Sequence, residues 1–207
     1  NPRDIIAEIE QNHVTVFLNT YNLTFHVDRE LVASHSEGEL GALLEGALAR
    51  LPEEDRTALT TSLKSKTLTL ALLDTSTHLF ENHLADQLIG INRALLNLDE
   101  RYRTVALQVG LIHELRHEAL DPLADHAAAE AGFTQYDVAL TRSLLGDPAV
   151  FHTYIGALES VVESAGYVAQ LRAASPPEPS TDPAAIALLL KDPWWLYCYW
   201  EIQPATE

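Results

Sequence analysis

Two histidines and one glutamate stand at a spacing that suits metal chemistry. His113 and His117 are four residues apart, and Glu114 directly follows the first histidine. On an α-helix, residues four apart lie on one face with about 5–6 Å between their Cβ atoms, so both imidazoles could bind one ion. Glu114 is rotated by about 100° from His113, so it could stand beside the ion without binding it. The pattern predicts a Zn²⁺ site in which Glu114 takes a proton from a metal-bound water.

The residues before this motif predict the helix that must hold it. Asp99 and Glu100 are typical of a helix start, and the helix is expected to run to about Leu120. Gly110 lies on the histidine face one turn before His113, where a small residue would leave room for the site. The apolar residues that would anchor the helix in a core are Val105, Leu107, Val109, Leu111 and Ile112.

The segments around this helix predict a mixture of strands and helices. Strands are expected at 14–18, 23–27, 68–73 and 88–91, with helices at 37–51 and 53–63. The polar residues 81–86 are expected to form a loop. The second half is predicted to be helical, with a helix over 122–131 interrupted at Gly132, another from Thr134 to Gly146, and a long one from Pro148 to Ala173. A short helix is expected over 4–12.

The spacing leaves the third metal ligand open. His126 and Glu130 are four residues apart on the next predicted helix, so they share a face and either could approach the ion. Asp121 and Asp125 are further candidates. Since Cys198 is the only cysteine, the ligands are expected to be histidines and carboxylates.

The segment from Leu88 to Leu120 is where the chain resembles a known group. Leu-Ile-Gly-Ile-Asn, followed by Leu-Ile-His-Glu-Leu-Arg-His, is similar to the strand and active-site helix of the zincin metallopeptidases. The resemblance implies peptide-bond hydrolysis, with residues 87–92 as a sheet edge along which a peptide substrate lies extended. The metzincin spacing is absent, and resemblance to the gluzincins favours Glu130 as the third ligand.

Other side chains could complete such a site. Peptide hydrolysis also needs a group that stabilises an oxyanion, for which Tyr136, Arg142, His152 and Tyr154 are candidates. His78 and His83 precede the predicted edge strand and could line a cleft.

The end of the chain has a different composition. Residues 174–183 hold four prolines and predict a linker, and the following segment contains all three tryptophans. Two short strands with a turn at Asp192-Pro193 are expected there. The segment resembles the opening of a bacterial domain of unknown function with the signature Asp-Pro-x-Trp-Leu-x-x-Tyr-Trp-Glu. Residues 184–202 could mediate self-association, dock a partner, or occupy the cleft as an inhibitory strand.

Composition excludes some classes of function. The 207 residues are 47% hydrophobic and 21% charged, which is typical of a globular protein without transmembrane segments. Thirty acidic against thirteen basic residues give a net charge of −17, so neither nucleic acid nor an anionic membrane is an expected partner. No secretory signal is visible, and we expect a bacterial cytoplasmic location, with secretion as the alternative.

These observations combine into one expectation about fold and function. We expect an α+β protein with a zincin-like domain over 1–173, a proline-rich linker over 174–183 and a short aromatic β segment over 184–207. The expected activity is zinc-dependent hydrolysis of a peptide or protein substrate. The alternative is a catalytically silent zinc-binding scaffold that assembles through its aromatic segment.

Overall fold

The structure is a computed structural model, and it describes most of the chain. The described residues are 11–34, 37–64, 66–74, 78–83, 87–120, 125–162, 167–173, 186–192 and 195–200. The strands are β1 (His13–Leu18), β2 (Leu23–Asp28), β3 (Leu68–Leu73), β4 (Phe80–His83), β5 (Leu88–Asn92), β6 (Ile186–Asp192) and β7 (Trp195–Trp200). The helices are α1 (Arg29–Ser34), α2 (Glu37–Arg50), α3 (Glu53–Leu63), α4 (Glu100–Ala119), α5 (His126–Leu145), α6 (Pro148–Glu159) and α7 (Tyr167–Ala173), with a 3₁₀-helix at Arg93–Asn97.

Five strands form one mixed sheet in the order β1-β2-β3-β5-β4. β2, β3 and β5 run parallel, whereas β1 and β4 are antiparallel to their neighbours. In β2 the side chains of Leu23, Phe25 and Val27 are buried and those between them are half-buried, which is the period-two pattern of a sheet with one face on the core. The predicted α+β class is confirmed at this level.

Helix α4 lies at the centre of the packing. It contacts α2, α3, α5 and β4, so most of its surface faces other elements. Its buried apolar residues are Val105, Ala106, Leu107, Val109, Leu111, Ile112 and Leu115. Each fully buried Val, Leu or Ile contributes about 1.5–3 kcal/mol, so the predicted anchor residues seat this helix firmly. The motif residues occupy its last two turns.

The prediction that residues 87–92 form the sheet edge is wrong. β5 pairs with β3 on one side and with β4 on the other, so β4 is the edge strand. The predicted loop over 81–86 is also wrong in part, because Phe80–His83 is a strand. Its residues Glu81, Asn82 and His83 are polar, and polar residues are common on edge strands since one side of such a strand faces solvent.

Two predicted helix boundaries differ from the structure. α5 continues through Gly132 to Leu145, because one exposed glycine costs a helix only about 1 kcal/mol. Asp125 provides the N-cap by accepting hydrogen bonds from the amides of Ala127 and Ala128, whereas the predicted start at Asp121-Pro122 lies outside the described residues. The helix predicted to run from Pro148 to Ala173 is two helices, α6 and α7.

The aromatic segment contains the predicted hairpin. β6 and β7 pair antiparallel, with Leu188 opposite Cys198, and form a two-stranded sheet of their own. The linker over 174–183 and nearly all of the helix predicted over 4–12 lie outside the described residues. Assembly or inhibition through residues 184–202 remains a prediction.

Two helical glycines have opposite surroundings, and this leads to a first prediction. A Cβ at Gly110 would lie 1.9 Å from Cε2 of Phe80 on β4, so this glycine leaves room for the edge strand rather than for the predicted metal site. A Cβ at Gly132 would have nothing within 4 Å. Gly110→Ala should lower the free energy of unfolding by roughly 1–2 kcal/mol, because overpacking outweighs the gain in helix propensity.

Gly132→Ala is the matched control and should raise the free energy of unfolding by up to about 1 kcal/mol. Urea denaturation of the two variants and the wild type measures both values. Equal stabilisation by the two alanines would contradict the close packing of Phe80 on Gly110.

Candidate metal centre

The two motif histidines converge at the end of α4. The Nε2 atoms of His113 and His117 are 3.2 Å apart, as expected for residues four apart on one helical face. Their side chains are 18% and 11% exposed, so both rings are largely buried. Burial and the neighbouring His113 lower the pKa of His117, which keeps its ring neutral and able to bind a metal.

Glu130 is the carboxylate that the structure brings to both histidines. Its Oε1 lies 3.2 Å from His113 Nε2 and its Oε2 lies 3.2 Å from His117 Nε2. One possible ligand atom from each of His113, His117 and Glu130 lies within 4.8 Å of the other two. Among the described residues, these three form the group that could hold a metal ion. The approach works because α5 packs against α4, with Glu130 in its second turn.

The spacing of these atoms fits a small divalent cation. Zinc binds imidazole nitrogen and carboxylate oxygen at about 2.0–2.2 Å in tetrahedral geometry, which separates neighbouring ligand atoms by roughly 3.3–3.6 Å. The two histidine nitrogens are 3.2 Å apart, close to that range, and each lies 3.2 Å from a different carboxylate oxygen of Glu130. Two histidines and one glutamate form a ligand set of catalytic zinc sites, and they leave a fourth position open.

Asp137 holds His113 in the orientation that such a site requires. Nδ1 of His113 donates a hydrogen bond to Asp137 Oδ2 over 2.6 Å, so Nε2 keeps its lone pair for the ion. Burial lowers the pKa of His113, but the hydrogen bond and charge of Asp137, together with Glu114 and Glu130, raise it above its usual value overall. Burial raises the pKa of Asp137, which is 1% exposed.

The role of Asp137 is not among the sequence-based predictions, which place this residue only within a helix from Thr134 to Gly146. A signal was present, because Asp137 follows Glu130 by seven residues, which is two helical turns. This spacing brings Glu130 and Asp137 to one face only if the helix is continuous from 126 to 145. The predicted break at Gly132 lies between the two residues, so the sequence-based prediction does not relate them.

Glu114 is buried beside the histidines. Its residue is 8% exposed, and burial raises the pKa of its carboxyl group to about 7, although His113 and Asn82 act in the opposite direction. Nδ2 of Asn82 donates a hydrogen bond to the backbone oxygen of Glu114 over 3.0 Å and so ties the edge strand β4 to the motif. A carboxyl group with a pKa near neutral pH can both accept and release a proton.

The other candidate ligands have different positions. The ring of His126 lies beside that of His117, with 5.4 Å between centroids, but His126 is exposed and does not belong to the cluster of potential metal ligands. The carboxylate of Asp125 accepts hydrogen bonds at the start of α5. Asp121 lies outside the described residues.

The candidates for an oxyanion stabiliser lie at different places in the described part of the chain. The hydroxyl group of Tyr136 donates to the backbone oxygen of Arg50, and Tyr154 is fully buried in the core. Arg142 is twelve residues after Glu130 on α5, which places it about 18 Å further along the helix. His152 lies on α6.

The two histidines before β5 also differ in position. His83 ends β4, where it is exposed and lies 3.4 Å from the carboxylate of Glu81. His78 precedes β4, and its backbone oxygen accepts a hydrogen bond from Asn92. His83 therefore belongs to the edge strand, whereas His78 accepts the hydrogen bond from Asn92 through its backbone.

Comparisons with known proteins give no match, whether with the models of protein families, with curated proteins or with solved structures. Among the helices within the described residues, none combines the length and the apolar composition that crossing a bilayer requires.

The carboxylate of Asp137 leads to a prediction about zinc affinity. Asp137→Asn keeps an acceptor for His113 Nδ1 but removes the negative charge, so zinc affinity at pH 8 should fall about 10- to 100-fold. The pH below which affinity starts to fall should shift downward, because the pKa of His113 loses its main raising cause. Competition with a chromophoric chelator across pH 5–8 measures both effects.

Asp147→Asn provides the control, since Asp147 caps α6 through the amide of Ala149 and asparagine caps helices equally well. Unchanged affinity in Asp137→Asn would show that Asp137 does not hold a ligand.

The buried carboxyl group of Glu114 leads to a prediction about stability. Its pKa of about 7 in the folded state exceeds that of an exposed glutamate, about 4.3. The metal-free protein therefore loses stability as the pH rises from about 4.3 to 7, where the unfolded chain has released this proton and the folded protein still holds it. Glu114→Gln should therefore raise the free energy of unfolding of the metal-free protein relative to wild type more at pH 8 than at pH 4. The two differences should be at most about 3 kcal/mol apart.

Urea denaturation in the presence of a chelator at both pH values tests this. Glu159→Gln is the control, because the hydrogen bond from Arg172 lowers the pKa of Glu159. Replacing Glu159 should therefore lower the free energy of unfolding more at pH 8 than at pH 4, which is the opposite of the effect expected for Glu114→Gln. An equal difference between Glu114→Gln and wild type at both pH values would contradict the raised pKa.

Proposed function

We propose that this chain is a zinc-dependent peptidase of the zincin type. The observation that supports this most is the convergence of His113, His117 and Glu130 with the buried Glu114 beside them. A site built only to hold an ion has no use for Glu114. A buried carboxyl group costs stability when it ionises, so its presence next to the ligands favours a role in proton transfer.

His113 and His117 would hold the ion through Nε2, and Glu130 through one or both carboxylate oxygens. Zinc bound there would supply a Lewis acid that acidifies a water molecule and polarises a peptide carbonyl group. Asp137 would keep His113 in the correct tautomer, and its charge would make the imidazole a better donor.

Glu114 would move the proton. Its carboxylate would accept a proton from the attacking water and deliver it to the nitrogen of the leaving amine, so that one group serves as base and then as acid. A pKa of about 7 suits both steps, because neither the charged nor the neutral form is strongly disfavoured near neutral pH.

The edge strand β4 would bind the substrate. One side of β4 pairs with β5, and within the described part of the sheet its other side has no partner strand. An extended peptide could add to this side through main-chain hydrogen bonds. The hydrogen bond from Asn82 to the backbone of Glu114 joins this edge to the motif. It supports β4, and not residues 87–92, as the strand along which an extended peptide substrate would lie.

The proposal can be tested through zinc content and peptide hydrolysis measured together. Glu114→Gln should retain about one zinc per chain and lose peptide hydrolysis by about 100-fold or more, because proton transfer is removed while the ligands remain. Mass spectrometry of the metal and cleavage of a quenched-fluorescent peptide library provide the two readouts.

Glu159→Gln is a suitable control, because it makes the same chemical change on α6, at a residue outside the cluster of potential ligands, and should leave zinc content and hydrolysis unchanged. If wild type and Glu114→Gln bind zinc and are equally inert, the chain is a zinc-binding scaffold. If the wild type binds no zinc at neutral pH, both functions are excluded.

A further inference from the structure

The ring of Phe133 lies against both motif histidines. Its centroid is 5.8 Å from that of His113 and 5.1 Å from that of His117, and the ring planes meet at 84° and 80°. These are edge-to-face contacts of the kind that aromatic rings prefer. Phe133 follows Glu130 by three residues on α5 and is 8% exposed. One face of α5 thus presents Glu130, Phe133 and Asp137 to the motif.

A half-buried arginine lies over the same ring. The guanidinium carbon of Arg116 is 4.2 Å from the centroid of Phe133 and 5.0 Å from that of Tyr136. Nη2 of Arg116 lies 3.2 Å from Oδ2 of Asp55 on α3, while its Nε and Nη1 are buried and make no hydrogen bond within the described residues. Attraction between the cation and the rings therefore holds Arg116 in place, and the cation in turn holds Phe133.

The two histidines differ in what orients them. Nδ1 of His113 is held by Asp137, which fixes the rotation of that ring. In the described part of the chain, the hydrogen bond and ion pair of His117 both involve Nε2, the atom that would face the ion. The orientation of His117 therefore depends on ring packing. Phe133, at 5.1 Å between centroids, is the apolar ring against it, beside the rings of His113 at 5.0 Å and His126 at 5.4 Å.

We propose that Phe133 is a positioning residue for the metal site, which sets the ring orientation of His117 and supports that of His113. Arg116 and Asp55 keep Phe133 in place and so connect the site to α3. This inference rests on the proposed zinc site. The ring of Phe133 offers no ligand atom. By orienting the two histidines, it nevertheless affects the affinity for the metal and the coordination geometry.

A matched pair of variants separates this role from general packing. Phe133→Leu removes the ring beside the histidines. Phe151→Leu removes another buried ring that faces an arginine, since the guanidinium carbon of Arg142 lies 5.5 Å from the Phe151 centroid and Phe151 is 2% exposed. Both variants should lose stability, but only Phe133→Leu should alter the metal site.

Two measurements on the folded proteins are needed. The dissociation constant for zinc, measured by chelator competition, should rise about 10- to 100-fold in Phe133→Leu and stay within about twofold in Phe151→Leu, as expected when a partner that orients a ligand is lost. The visible absorption spectrum with Co²⁺ in place of zinc reports coordination geometry and should change only in Phe133→Leu. If Phe133→Leu does not fold, Phe133→Met, which keeps more of the apolar volume, replaces it.

Three results would overturn the inference. Wild-type affinity and an unchanged cobalt spectrum in Phe133→Leu would exclude a positioning role while leaving the proposed function in place. Equal weakening in Phe133→Leu and Phe151→Leu would show general loosening of the fold. Absence of zinc and cobalt binding in the wild type would remove the proposed function together with this inference.

Discussion

The contact between α4 and α5 is the interaction on which the candidate site depends. α4 brings the imidazoles of His113 and His117 and the carboxyl group of Glu114 to one end. The group that could hold a metal ion consists of the two imidazoles and Glu130, which lies on α5. α5 crosses this end with Glu130, Phe133 and Asp137 on one face. Each of the three contacts at least one histidine, by an ion pair, a ring contact or a hydrogen bond. A shift of one residue in the register of α5 would remove all three contacts together.

The site is also a place where the fold holds groups that do not favour burial. Glu114 and Asp137 are almost completely buried, and burial raises the pKa of both. Arg116 is held mainly by aromatic rings and one carboxylate. Buried charges of this kind stabilise a fold poorly, so the strongly apolar anchor of α4 has to compensate for them. Proteins retain such groups where they serve a function that a wholly apolar core could not provide.

Three differences between the predicted and the observed structure have physical causes. Residues 81–83 are polar because an edge strand is open to solvent on one side, and the same polarity is typical of a loop. Gly132 does not end α5, because packing and the cap at Asp125 outweigh the small cost of one glycine. Gly110 was correctly singled out as a position that needs a small residue, but the neighbour that requires it is Phe80 on another element.

The sequence by itself determined the helix that carries the motif, its apolar anchor and the relative placement of His113, Glu114 and His117. These features depend on the 3.6-residue period of a single helix, which is a local property of the chain. Only the tertiary structure decided that Glu130 and not His126 faces both histidines, that Asp137 holds His113, and that β4 is the edge strand. Those outcomes depend on how separate elements pack and pair, and local periodicity carries no information about that.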